Sequence, residues 1–175
     1  MTTNTLYFKH IKPSEMCLSE FIESFADIYE HSPWVAEKAF LAGPLTTFDE
    51  VDALHQVMST CFLTASYDEQ LALINAHPDL AGRAATQGKL TASSAAEQSG
   101  AGISQCTPEE FERFTRLNDA YKSRFGFPFI KAIKGSNRHE ILDAFEQRIT
   151  NDPTVEFNTA LQEINKIARF RLEAL

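Results

Sequence analysis

An all-α chain of about eight helices is what this sequence predicts, and three observations predict it. Apolar residues recur at three- and four-residue spacing along most of the 175 positions. Those runs are separated by helix-start signatures, Ser or Thr followed three residues later by Glu, and by Pro and Gly. The single stretch that reads as extended, Phe127 to Ile133, has no second strand to pair with. With 43% hydrophobic residues the chain is long enough to bury a sizeable core. It is expected to be one domain over residues 1–175, with residues 1–13 as a flexible tail.

The elements follow in order. Phe21, Ile22, Phe25, Ile28 and Tyr29 fall on one helical face, and His31-Ser32-Pro33 ends that run. There Ser32 is expected to cap a second helix with Pro33 in its first position. That helix carries Trp34, Val35, Ala39 and Phe40 as far as Gly43-Pro44. Thr47 to Glu50 reads as a capping box ahead of Val51, Leu54, Met58 and Cys61, and Ser66 to Glu69 repeats the signature ahead of Leu71, Leu73 and Ile74. Pro78 disfavours the helical conformation at His77, so the fourth helix should end there with the imidazole on a helix-to-loop corner. Gly82, Gly88, Gly100 and Gly102 make the middle the least regular part, although Ser94 to Gln98 can open a short helix. Thr107-Pro108-Glu109-Glu110 starts a strong one, with Phe111, Phe114, Leu117, Tyr121 and Phe125 inward and Gly126 as its stop. Phe127 to Ile133 is read as a packed connector. Ile141, Leu142, Phe145 and Ile149 mark another helix, and Asp152-Pro153 opens the last, carrying Ala160, Leu161, Ile164, Ile167, Ala168 and Leu172.

Composition narrows the function. Sixteen Lys and Arg against twenty-four Asp and Glu leave a formal charge of -8, which opposes the counterion release that drives nucleic-acid binding. Cys17, Cys61 and Cys106 are odd in number and far apart, which suggests neither a disulfide framework nor a zinc site. A secretory leader and a membrane-length apolar run are both missing, so a cytoplasmic protein with no membrane partner is expected.

Chemistry concentrates between His77 and Gly102. An unperturbed histidine side chain has its pKa near neutrality, so His77 can act as general acid or base, or it can be a plain surface histidine. For Glu97 the bland alternative is stronger, because Ser94-Ala95-Ala96-Glu97 is itself a capping box. Gln98 beside it, in a small-residue segment where helix-start N–H groups can approach a ligand, argues for a binding edge. His77, Asp79 and Glu97 make a poor metal set without a paired histidine, and no Gly-x-Ser-x-Gly elbow or phosphate loop occurs. Phe125 to Phe129 can wall a small pocket or simply pack. Arg171 can anchor a carboxylate or snorkel at the surface, with Arg169 competing for the inward position.

Six motifs now coincide in order. Glu30-His31-Ser32-Pro33-Trp34-Val35-Ala36-Glu37, His77-Pro78-Asp79-Leu80-Ala81-Gly82, Ser94-x-x-Glu97-Gln98, Leu117-Asn118-x-Ala120-Tyr121, Phe125-Gly126-Phe127-Pro128-Phe129-Ile130 and Ile167-Ala168-x-x-Arg171-Leu172 are similar to those of 2-oxo-4-hydroxy-4-carboxy-5-ureidoimidazoline (OHCU) decarboxylases. The resemblance runs from about Leu18 to the C-terminus. It implies loss of CO2 from OHCU with one-faced protonation to (S)-allantoin, the last step of urate breakdown, by an all-helical homodimer with no metal or organic cofactor. By resemblance His77 is the catalytic acid, and Glu97 acts with it or orients the substrate. Pro78 shapes the wall, Ser94, Ala95, Ala96 and Gln98 grip the ureido group and ring, and Phe129, Ile130, Lys131, Ala132 and Ile133 offer backbone contacts. Arg171 meets an oxygen or carboxylate of the anionic substrate. The least typical stretch is Arg83 to Leu90, which bears on how the site closes. The alternative function is a non-catalytic helical protein that binds ureides or purines or docks a pathway enzyme; a weaker third is a metal-dependent hydrolase using His77, Asp79 and Glu97.

Overall fold

The computed structural model describes residues 4–82, 85 and 87–175. Among them are eight α-helices and no strand: α1 Leu18–Phe25, α2 Trp34–Ala42, α3 Val51–Leu63, α4 Tyr67–Ala76, α5 Ala92–Gly100, α6 Pro108–Phe125, α7 Arg138–Arg148 and α8 Pro153–Glu173. The helical class and the helix number agree with the periodicity. Contacts divide the chain into two compact units, one of Met1–Leu73 with Asn165–Leu175 and one of Ile74–Ile164.

The first unit is built on aromatic residues at helical spacing. Phe21 is fully buried, with its ring centroid 4.6 Å from Phe25, 5.4 Å from Phe40 and 5.9 Å from Phe48. Leu54, Met58 and Phe62 supply one face of α3, and each such side chain contributes about 1.5–3 kcal/mol on burial. Two expected caps are replaced by other bonds. The Ser32 hydroxyl donates to the Glu30 carbonyl at 2.8 Å, and α2 begins at Trp34 without a side-chain cap. Thr47 donates to the Pro44 carbonyl, and Asp49 accepts from the amide and hydroxyl of Ser14 at 2.9 and 2.6 Å, so α3 starts uncapped after Glu50. The Ser66–Glu69 box forms as expected, with reciprocal bonds of 3.1 and 3.2 Å. Within residues 1–13, expected to be a flexible tail, Phe8 donates to the Asp49 carbonyl at 3.0 Å and Val51 to that of Leu6 at 2.9 Å. Leu6 to Phe8 are therefore held against the start of α3.

The second unit has Tyr121 at its centre. Its ring lies 4.5 Å from Phe125, 5.5 Å from Phe129 and 5.7 Å from Phe145, while Phe129 stacks on Phe145 at 4.0 Å. The Tyr121 hydroxyl donates to Glu156 at 2.6 Å, and the Arg148 guanidinium meets the same carboxylate oxygen at 3.0 Å. Paired and hydrogen-bonded in this way, the fully buried carboxylate of Glu156 is tolerated. α6 starts on the Thr107–Glu110 box and ends at Gly126, whose φ of 79° is the left-handed cap. Its inner face is Phe114, Asn118 and Tyr121; Phe111, expected inward, is exposed.

Candidate active site

α4 ends at Ala76, and the His77 amide closes the last turn on the Ile74 carbonyl at 3.2 Å. That leaves His77 and Pro78, both half-buried, on the corner that the His-Pro dipeptide predicts. The next residues make a tight turn. Ala81 is buried at a φ of 53°, a conformation unfavourable for a residue with a Cβ, and the Gly82 amide donates to the Asp79 carbonyl. A Cβ on Gly82 would stand 2.6 Å from the Cβ of Asp79, so only glycine fits there.

Three side chains hold that turn. Gln98 accepts from the Ala81 amide at 3.1 Å through its Oε1 and donates to the Asp79 carbonyl at 3.4 Å through its Nε2. Asn118 donates its Nδ2 to the Leu80 carbonyl at 2.9 Å, and the Lys122 ammonium meets the Asp79 carboxylate at 2.6 Å. Gln98, assigned above to the substrate edge, thus directs both ends of its amide at the backbone that follows His77.

α5 begins earlier than its Ser94–Glu97 signature suggests. Thr91 is the cap, accepting from the Ser94 amide at 3.2 Å, and Ala95 already donates to the Thr91 carbonyl. The amide of Ala95 is therefore inside the helix ladder, and the capping-box reading of Glu97 is removed. Ser94, Glu97 and Gln98 share one helical face, with Ser94 and Gln98 buried and Glu97 half-buried. Ala95 and Ala96 are exposed; Ala95 borders a cavity of about 360 Å³ with Ala81, Gln98, Ile103 and Phe111.

The connector reading of Phe127 to Ile133 holds, with Phe129, Ile130 and Ile133 buried and Lys131 and Ala132 half-buried. Arg148, which sequence reasoning passed over, donates to the Ile130 carbonyl at 2.6 Å and lies over the Phe129 ring at 4.3 Å. A basic residue one turn past Phe145 on α7 was its only signal. The structure brings the His77 turn and α5 together through Gln98, and α6 supports both the turn, through Asn118, and the connector, through Tyr121. Arg83, Ala84 and Thr86, within the Arg83 to Leu90 stretch expected to bear on closure, lie outside the described residues.

Arg171 belongs to the first unit. It is buried, not snorkelling: its guanidinium pairs with the Glu30 carboxylate at 2.9 Å and donates to the Asp27 carbonyl at 3.1 Å. Arg169 takes the outer position, paired with Asp52 and Glu173. The Glu30 to Glu37 motif acquires a purpose from this pair. His31 adopts a φ of 47° and Ser32 ties back to the Glu30 carbonyl, a turn that places the Glu30 side chain in the interior.

Comparison with known proteins matches residues 14–173 to the OHCU decarboxylase family. The chain is 43% identical over 152 residues to the 2-oxo-4-hydroxy-4-carboxy-5-ureidoimidazoline decarboxylase of Haloferax volcanii, covering 87% of this chain and 86% of that one. Among solved structures, an (S)-allantoin synthase superposes with a TM-score of 0.73 at 31% identity, over 92% of this chain and 51% of the other. This chain thus spans about half of that synthase. A crystal structure of an OHCU decarboxylase in the presence of (S)-allantoin superposes with a TM-score of 0.64 at 25% identity, over 79% of this chain and 87% of the other.

Proposed function

The chain belongs to the OHCU decarboxylase family, and from that premise we propose that it converts OHCU to (S)-allantoin and CO2, the closing step of urate degradation. The observation that carries the reading is the polar face of α5 joined through Gln98 to the turn that follows His77.

The chemistry needs few groups. When the bond to the carboxylate breaks, CO2 leaves and the electron pair passes into the ring's imine and carbonyl system. A proton must then arrive on one face of the carbon that becomes the stereocentre. His77, half-buried on a corner, supplies that proton, and Glu97 lies on the α5 face that orients the ureido group. Ser94 and Pro78 complete the edge and the wall, and the backbone of residues 129–133 offers further polar contacts. Gln98 acts through the turn it grips as well as on the ligand. Arg171, whose guanidinium is held by Glu30 and the Asp27 carbonyl in the first unit, is assigned to a substrate oxygen or carboxylate by resemblance alone. Arg171→Lys, which keeps the charge but not the fork, should raise KM, and an unchanged KM removes the assignment.

The same reading makes the protein a cytoplasmic homodimer that needs no metal or organic cofactor. Activity surviving exhaustive chelation, and a sedimentation mass twice that of the chain, check the last two points.

The substrate decays unaided to racemic allantoin, so the decisive experiment generates it from urate in situ and follows optical rotation. An enantiomeric excess above the enzyme-free control is expected. Binding of (S)-allantoin without any excess would instead make the protein a ureide-binding module.

A further inference from the structure

We propose that Asn118, with Gln98, is a positioning residue for His77, clamping the turn from Asp79 to Ala81 so that the imidazole keeps one direction. The proposal rests on the decarboxylase reading above. Asn118 sits on the inner face of α6 between Phe114 and Tyr121, where an apolar residue would continue the stripe. It is 4% exposed, and its Nδ2 donates to the Leu80 carbonyl at 2.9 Å. Gln98, equally buried, takes the two neighbouring backbone groups, the Asp79 carbonyl and the Ala81 amide.

The turn gains from these bonds because its backbone is strained. Ala81 is held at a positive φ without glycine's freedom, and Gly82 closes on Asp79 with no room for a Cβ. Helix α4 fixes the backbone on the other side of His77, ending at Ala76. Between a rigid helix end and a clamped turn the corner has one conformation, which is what a one-faced proton delivery demands. Lys122, four residues beyond Asn118 on α6, adds an ion pair to the Asp79 carboxylate from the solvent side.

The test is a double-mutant cycle on the full chain, read by initial rate and enantiomeric excess with helicity followed by circular dichroism. Asn118→Ala should lower kcat by about tenfold or more, reduce the enantiomeric excess and leave KM within about twofold. In the inactive His77→Ala background the same change should leave the Kd for (S)-allantoin within about twofold, because Asn118 acts only through the imidazole. An undiminished kcat and excess in Asn118→Ala overturns the proposal, as does a comparable loss of (S)-allantoin binding in the His77→Ala background. If Asn118→Ala does not fold, Asn118→Asp, of the same shape but with no N–H to donate, is put through the same cycle and decides by the same criteria. A wild-type chain that yields no enantiomeric excess would sink the decarboxylase reading itself, a result distinct from either failure of the cycle.

Discussion

A proton donor must be exposed enough to meet its substrate, so it contributes little to the core that surrounds it. His77 and Glu97 are both half-buried, and replacing either with Ala should leave helicity and cooperative unfolding nearly intact while abolishing the enantiomeric excess. Circular dichroism and optical rotation on the same samples check both halves; full excess in both variants would move the site elsewhere. Glu30 is the opposite case. The residue is 2% exposed and its carboxylate pairs with the buried Arg171, so Glu30→Ala removes the counter-charge of an interior guanidinium and should cost about 3–5 kcal/mol in urea unfolding. A loss below about 1 kcal/mol would show the pair to be solvated. The corner that carries His77 was legible in the sequence because Pro78 marks it locally. Neither the burial of Arg171 nor the role of Glu30 was, since the partners lie at opposite ends of the chain and helical periodicity could not choose between Arg169 and Arg171.

Helices were legible where apolar spacing and a local cap agreed, and their starts were missed where a competing hydrogen-bond partner stood nearby. Thr107–Glu110 and Ser66–Glu69 formed as read. The Thr47–Glu50 box did not, because the Thr47 hydroxyl donates to the Pro44 carbonyl of its own turn and the neighbouring Asp49 is held by the Ser14 amide and hydroxyl. Ser94 lost its cap position to Thr91, whose hydroxyl stands three residues upstream in an equally suitable sequence. Thr91→Ala should therefore destabilise by about 1 kcal/mol in thermal or urea unfolding. The start of α6 has a pH signature. The Thr107 amide, with Arg138 beside it, holds the Glu110 carboxyl below its usual 4.5. A lowered folded-state value means this stabilisation is complete above the unfolded carboxylate range and is lost as pH falls through the folded one. Between neutrality and about pH 3 the midpoint of Glu110→Gln should fall less steeply than that of the wild type. Parallel curves would remove Glu110 from the acid response.

Contacts group the chain into two compact units, a division after Leu73 of which sequence periodicity offered no sign. His77, Glu97, Gln98 and Asn118 all belong to the unit Ile74–Ile164. A ligand that binds native protein but not unfolded chain stabilises it by about 2.7 kcal/mol at a hundred times its Kd. At this size that should raise the unfolding midpoint by about 5–10 °C. (S)-Allantoin is the probe, since it keeps the ureido group and five-membered ring that the α5 face would hold, with a carbonyl and a tetrahedral C–H where the substrate has its carboxylated carbinol carbon and its imine. Its enantiomer should give a smaller shift at equal concentration, because a site that delivers a proton to one face must also distinguish the two faces once the proton is on. Calorimetry with each enantiomer reads the difference directly. If the two units melt separately, the transition that moves should be the one lost in a Gly82→Ala variant, whose added Cβ collides within the His77 turn. Equal shifts from both enantiomers would mean that stereochemistry is not read at this site, and one-faced protonation would lose its structural basis.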